Sequence, residues 1–162
     1  LDLLKGPQAK SGQSAALKAP EASAISAAPP SSEKGYRVLI VDDNLDNRIL
    51  ACDTLGPEGY ALIQAENGLI AIEKVKNEKP DLVVLDIMMP EMDGLTVINR
   101  LRGQPESAGL PILILTAMSE EESQGLALEL GADDYLTKPF NPRVFRARVR
   151  ALFRRCELRG LP

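Results

Sequence analysis

From Tyr36 onward the chain alternates short apolar runs with longer stretches whose apolar positions recur at helical spacing. The runs are Val38-Leu39-Ile40-Val41, Leu82-Val83-Val84-Leu85 and Ile112-Leu113-Ile114-Leu115, with shorter ones at residues 60–65 and 134–137. Continuous apolar runs of this length predict strands covered on both faces, as in a parallel sheet. Strands are expected at 36–41, 60–65, 81–86, 111–116 and 134–137, and helices at 45–56, 68–78, 94–103, 119–130 and 141–157. Ile49, Cys52 and Leu55 share a face of the first helix, and Phe145, Val149 and Leu152 share a face of the last. Gly59 follows the first helix, Asn67 caps the second, Gly94 opens the third, Ser119 caps the fourth and Gly131 ends it. A strand–helix rhythm repeated in this way predicts one α/β domain over 35–157, a doubly wound five-stranded parallel sheet flanked by five helices.

Residues 1–34 are dominated by Ala, Ser, Pro, Lys and Gly, and Pro20, Pro29 and Pro30 interrupt any helix. Such a stretch buries too little apolar surface to offset its ordering entropy. It is expected to be a flexible tether to an upstream domain, with a short helix possible at 14–18, while 158–162 begin a C-terminal linker. The chain starts at Leu1 rather than Met and its opening has no signal-peptide layout, so it is expected to be a fragment of a longer polypeptide.

Composition narrows the chemistry. A net charge of −4 gives no whole-chain case for nucleic-acid binding, and no run of about 18 apolar residues exists to span a membrane. The two cysteines, Cys52 and Cys156, match no metal-ligand spacing; they read as inert thiols in a reducing cytoplasm. Histidine is absent, which excludes His-based catalysis and any His phosphodonor within these 162 residues.

Five polar residues, Asp42, Asp43, Asp86, Thr116 and Lys138, stand at the ends of the apolar runs. In a parallel sheet they converge on the edge where open α/β sheets bind ligands. Clustered carboxylates repel and raise one another's pKa values unless a cation neutralises them. Mg²⁺ (or Mn²⁺) suits an oxygen-only site of this kind. Asp43 and Asp86 are the expected direct ligands, with Asp42 acting through a water and the Met88 backbone carbonyl supplying a further oxygen. A carboxylate beside a metal can also attack phosphorus, and Asp86, central in the set, is the expected nucleophile. Lys138 offers a second cation and Thr116 a hydroxyl donor to a phosphoryl oxygen. Taken singly, Thr116 reads equally as strand-end punctuation and Tyr135 as a half-buried strand aromatic.

The motifs VLIVDDN at 38–44, DLVVLDIMMPEMDGL at 81–95, PILILTA at 111–117 and GADDYLTKPF at 131–140, in this order and spacing, make residues 36–157 resemble the receiver domain of bacterial response regulators. The resemblance implies a flavodoxin-like sheet ordered 2-1-3-4-5 and Mg²⁺-dependent phosphorylation of Asp86 by a histidine kinase or phosphotransfer protein. It implies a cis peptide between Lys138 and Pro139, and a switch in which Thr116 moves toward the phosphoryl group and Tyr135 follows. Helix 4, strand 5 and helix 5 would then carry the signal to an output domain or partner protein.

The last helix departs from the family, with Val144 and Arg146 where Glu and Leu are common. It is also rich in arginine: Arg143, Arg146, Arg148, Arg150, Arg154, Arg155 and then Arg159. That charge reads as a solvated face or a helix continuing into an output domain, because no aromatic stacking platform or reading helix accompanies it. A phosphohydrolase of the haloacid-dehalogenase type would want an acid two residues after Asp86, where Met88 stands. A flavin-binding flavodoxin would want a neutral or glycine-rich first loop in place of Asp42-Asp43-Asn44.

Overall fold

The computed structural model describes residues 35–117 and 121–158. Among these residues the elements are β1 (Arg37–Val41), α1 (Leu45–Leu55), β2 (Ala61–Ala65), α2 (Gly68–Glu78), β3 (Leu82–Leu85), α3 (Gly94–Arg102), β4 (Ile112–Ala117), α4 (Glu121–Leu130), β5 (Asp134–Lys138) and α5 (Pro142–Leu158). The strands form one parallel sheet ordered β2-β1-β3-β4-β5, the flavodoxin-like order. The helix considered at 14–18 and the cap at Ser119 lie outside the described residues, as do 159–162 of the expected C-terminal linker. Leu158, the first residue of that linker, is instead the last residue of α5.

Alternation along each strand divides the core between two faces. Leu39, Val41, Val83, Leu85, Ile112 and Ile114 point toward α2, α3 and α4, where they meet Ala71, Val97, Ile98, Leu101 and Ala127. Val38, Ile40, Leu82, Val84, Leu113 and Leu115 point the other way, onto Ala51 and Leu55 of α1 and Phe145, Val149, Leu152 and Phe153 of α5. Both faces of the three central strands are therefore dry, which is why their sequences read as unbroken apolar runs.

Among the described residues four helices start on a side chain that accepts a backbone N–H in the first turn: Asn44 from Asn47 at 3.1 Å, Asn67 from Ile70 at 2.8 Å, Asp93 from Thr96 at 2.9 Å and Asn141 from Arg143 at 2.8 Å. The expected face of α1 needs correction. Ile49 is 44% exposed, and the residues that turn inward are Ala51, Thr54 and Leu55. Thr54 can be buried because its hydroxyl donates to the Leu50 carbonyl at 2.8 Å, and small Ala51 lets the helix approach the sheet closely. A 3-10 turn, Gly56–Glu58, then ends at Gly59 with φ +89°, a conformation that favours glycine.

At the opposite end of the sheet from the acidic residues, Arg102 ties α3 to the loops before β4 and β5. It donates to the carbonyls of Leu110 and Gly131, both at 2.7 Å, and pairs with Asp133 at 3.1 Å. Asp133 also accepts the Ile112 amide at 2.8 Å. The starts of β4 and β5 are thus pinned together, and with them the register that determines what their far ends present.

Candidate functional site

Chain order reverses between β1 and β3, so the crevice of this sheet lies beyond their C-terminal ends. Val41 pairs with Leu85, and the next residues on the two strands are Asp42 and Asp86. Both are fixed by backbone bonds, the Asp86 amide to the Val41 carbonyl at 3.0 Å and the Asp42 amide to the Ala65 carbonyl of β2 at 3.2 Å. On the other side, β4 and β5 align Thr116 with Thr137 and Ala117 with Lys138. The sheet thereby sets Asp42, Asp86, Thr116 and Lys138 along its C-terminal edge, with Asp43 following Asp42 into the loop.

Asp42 and Asp86 are buried, at 4% and 7% exposure, whereas Asp43 is exposed. One carboxylate oxygen from each of the three lies within 4.8 Å of the others. Lys138 Nζ reaches 2.7 Å from Asp42 Oδ2 and 3.4 Å from Asp86 Oδ2. Thr116 is fully buried, and Tyr135, opposite Ile114 on the neighbouring strand, is 37% exposed. The Lys138–Pro139 peptide is cis. Met88 is 61% exposed, and its backbone N–H favours the ionised form of the Asp86 carboxyl.

Burial pushes the Asp86 carboxyl up to about 6, with the neighbouring Asp42 charge adding to the rise and Lys138 opposing it. For Lys138, burial disfavours the ammonium, but the hydrogen bond to Asp42 and the charges of Asp86 and Asp42 outweigh it and hold the group above its ordinary value. Three carboxylates therefore meet one ammonium, and negative charge is left over. An all-oxygen donor set with excess negative charge fits a hard divalent cation such as Mg²⁺ or Mn²⁺.

Several neighbours of the site were not singled out from the sequence. Asn44 and Asn47 donate to Asp42 Oδ1, from the Asn44 amide at 2.9 Å and from Asn47 Nδ2 at 3.4 Å. Arg48 donates to the Asp42 carbonyl at 2.7 Å. Gly94, read as a helix opener, also lies against the nucleophile's own backbone: a Cβ there would stand 2.4 Å from the Asp86 carbonyl oxygen. An Asn three residues after another Asn, directly behind an acidic pair, is the signal that marks the first two.

Outside the site, part of the arginine charge of α5 is used within the domain. Arg148 pairs with Asp134 at 2.8 Å and Arg150 with Glu58 at 2.6 Å. Cys52 and Cys156 are partly buried and are not joined in a disulfide, and burial pushes the Cys52 thiol up. Among the described residues no helix is long and apolar enough to cross a membrane.

The family model described as the response regulator receiver domain matches residues 38–150. The alkaline phosphatase synthesis transcriptional regulatory protein PhoP of Bacillus subtilis is 48% identical over 122 residues, covering 75% of this chain and 50% of that protein. The phosphate regulon transcriptional regulatory protein PhoB of Pseudomonas aeruginosa is 41% identical over 121 residues, covering 75% of this chain and 53% of that protein. The chain thus spans about half the length of these curated relatives. Among solved structures, the chemotaxis response regulator CheY4 of Vibrio cholerae superposes with a TM-score of 0.68 at 31% identity, covering 72% of this chain and 98% of that one. The receiver domain of the Francisella response regulator 1452 gives 0.68 at 32% identity, covering 74% and 98%.

Proposed function

The chain belongs to the response regulator receiver family, and from that premise we propose that it is a phosphoacceptor in which Asp86 takes a phosphoryl group from a histidine kinase or phosphotransfer protein. The observation that carries this reading is the convergence of Lys138 Nζ on Asp42 and Asp86, at 2.7 and 3.4 Å, beside a third carboxylate at Asp43.

In the proposed reaction an Asp86 carboxylate oxygen attacks phosphorus in line with the donor. The new O–P bond makes an acyl phosphate, and the donor leaves with the electron pair of the bond that breaks. Asp86 must be ionised to attack, and Lys138 favours that form. Lys138 and Thr116 would each bind an equatorial phosphoryl oxygen, where charge neutralisation does most of the work. Asp42, Asp43, Asp86 and the Met88 backbone carbonyl would hold Mg²⁺ or Mn²⁺, which supplies further neutralisation of phosphoryl charge. The domain assists its own phosphorylation and dephosphorylation rather than turning over a substrate.

Phosphorylation would then be read out through Thr116 and Tyr135. Thr116 is wholly buried and Tyr135 partly exposed, and alternation from Ile114 puts both on the α4 side of the sheet. Movement of the threonine toward a phosphoryl oxygen would alter the α4–β5–α5 face, which we assign as the surface for an output domain or partner protein. In this scheme 35–157 form the receiver, with Leu158 ending its last helix, 1–34 a tether and 159–162 the start of a linker, all in the cytoplasm. These 162 residues would contact neither nucleic acid nor membrane.

The test is incubation of the full chain with Mg²⁺ and acetyl phosphate, read by mass. One added phosphoryl group in the native chain and none in Asp86→Asn is expected. Equal labelling of both would overturn the assignment of Asp86.

A further inference from the structure

Asp42 is held at every polar atom it has. Its amide donates to Ala65 and its Oδ2 accepts Lys138, while Oδ1 accepts Asn44 and Asn47. The remaining atom, the backbone carbonyl, accepts Arg48 Nη1 at 2.7 Å. Arg48 sits in the first turns of α1, and its Nε donates at 3.1 Å to Gln64 Oε1 on β2. The backbone carbonyl of Gln64 in turn accepts Lys74 of α2 at 2.8 Å. A guanidinium can serve two acceptors at once in a fixed fork, so Arg48 braces the β1–α1 loop against the edge strand.

This contact acts beyond Asp42. The carbonyl of Asp42 and the amide of Asp43 belong to one planar peptide unit, so holding the oxygen restrains that plane and the position of the Asp43 Cα, leaving rotation about the Asp43 N–Cα bond as the main freedom in directing its side chain. Asp43 is the exposed member of the three-carboxylate cluster. Its position depends on this peptide more than do those of buried Asp42 and Asp86.

We propose that Arg48 is a positioning residue for the divalent-cation site, holding the Asp42–Asp43 peptide so that the Asp43 carboxylate stays within reach of Asp42 and Asp86. The inference rests on the proposed Mg²⁺ dependence of the receiver. The opposing effect, repulsion of a cation by the guanidinium, is weakened because Arg48 is only half-buried and its charge is screened by water and salt. Loss of ligand geometry has no such screening.

The experiment uses the full chain with Mg²⁺ alone as the probe and follows the melting temperature across a Mg²⁺ titration. Arg48→Ala should raise the Mg²⁺ concentration at half-effect by about tenfold, the scale on which outer partners of metal ligands act. Gln64→Ala should raise it less. Arg48→Lys, which keeps the charge, and Arg48→Gln, which keeps a donor without charge, should each recover part of the loss. Labelling of Arg48→Ala by acetyl phosphate should return close to the native rate once Mg²⁺ saturates, and Asp43→Ala should show little Mg²⁺ response at all. A lower melting temperature in Arg48→Ala with an unchanged Mg²⁺ midpoint would overturn the proposal and leave a purely structural brace. Tighter binding in both Arg48→Ala and Arg48→Gln would overturn it in favour of charge repulsion. A native chain with no Mg²⁺ response would instead defeat the metal reading itself, and this inference with it.

Discussion

Lys138 and Asp42, 96 positions apart in sequence, meet in a 2.7 Å hydrogen bond between ammonium and carboxylate. The carboxylate side chain is 6% exposed and the ammonium side chain 20%, so water contributes little to neutralising either. Removing the cation from such a pair leaves a buried charge without compensation. Lys138→Met is therefore expected to lose roughly 3 kcal/mol of stability without metal. Mg²⁺ should restore a larger share in the variant than it adds to the native chain, because it replaces the missing charge. Urea unfolding with and without Mg²⁺ checks this; equal metal-free stability of the two chains would show that the pair contributes nothing.

The raised pKa of Asp86 sets a pH dependence of unusual sign for a carboxylate. Burial lifts it from the ordinary 3.8 to about 6, so between these values the folded chain binds more protons than the unfolded one. Stability from this group is fully present below the lower value and is lost as pH rises through the upper. In metal-free buffer, native stability relative to Asp86→Asn should fall as pH goes from about 4 to about 6, and level off above. Labelling by a small phosphodonor should rise with pH as the nucleophile ionises, and the rise should move to lower pH as Mg²⁺ is increased, because a cation favours the carboxylate. A flat difference in stability across this window would place the Asp86 carboxyl at its ordinary value.

Gly94→Ala should damage the site through the backbone. The added Cβ would lie 2.4 Å from the Asp86 carbonyl oxygen and 2.8 Å from Ile87 Cα, neither of which can rotate aside. The Gly94 amide also donates to the Ile87 carbonyl at 2.7 Å, so α3 cannot back away without breaking that bond. A cost of about 1–3 kcal/mol is expected, with a loss of labelling rate even at temperatures where the variant stays folded. Native labelling in a folded Gly94→Ala would show that the loop absorbs the methyl.

The aspartyl phosphate should be long-lived in the isolated domain. Hydrolysis needs a water held in line with the Asp86–phosphorus bond, and the residues two beyond Asp86 and two beyond Thr116 are both methionine. Thioethers bind water weakly and add apolar volume. Met88 is 61% exposed, so Met88→Asn is accommodated without repacking and should shorten the lifetime while leaving Mg²⁺ binding unchanged. Loss of the native label within seconds, or slower loss in the variant, would contradict this.

The strands were legible in the sequence because a strand dry on both faces has to be a continuous apolar run, and nothing else at 38–41, 82–85 and 112–115 explains such runs. Parallel pairing followed from the intervening helices, and Asn67 and Gly94 marked helix starts by local chemistry alone. The face of α1 was not legible. Ile49 and Thr54 exchange the places that hydrophobicity assigns them, because Thr54 meets its hydrogen-bond demand within its own helix and small Ala51 brings that helix close to the sheet.

The candidate residues themselves could be named from their places after the runs, but their contacts could not. Hydrophobic periodicity and capping act between residues a few positions apart, whereas the meeting of Lys138 with Asp42 and Asp86 depends on strand order and on the β4–β5 register pinned at the far end by Arg102 and Asp133. The same holds for Arg48: its spacing from Asp42 permits a helix-borne contact, yet only the packing of α1 beside β2 brings Gln64 within reach of the same guanidinium. Local sequence thus determined which elements form and which polar groups end them. The three-dimensional order of the sheet decided which of those groups touch, because a 2.7 Å contact across 96 residues is the outcome of every register between them.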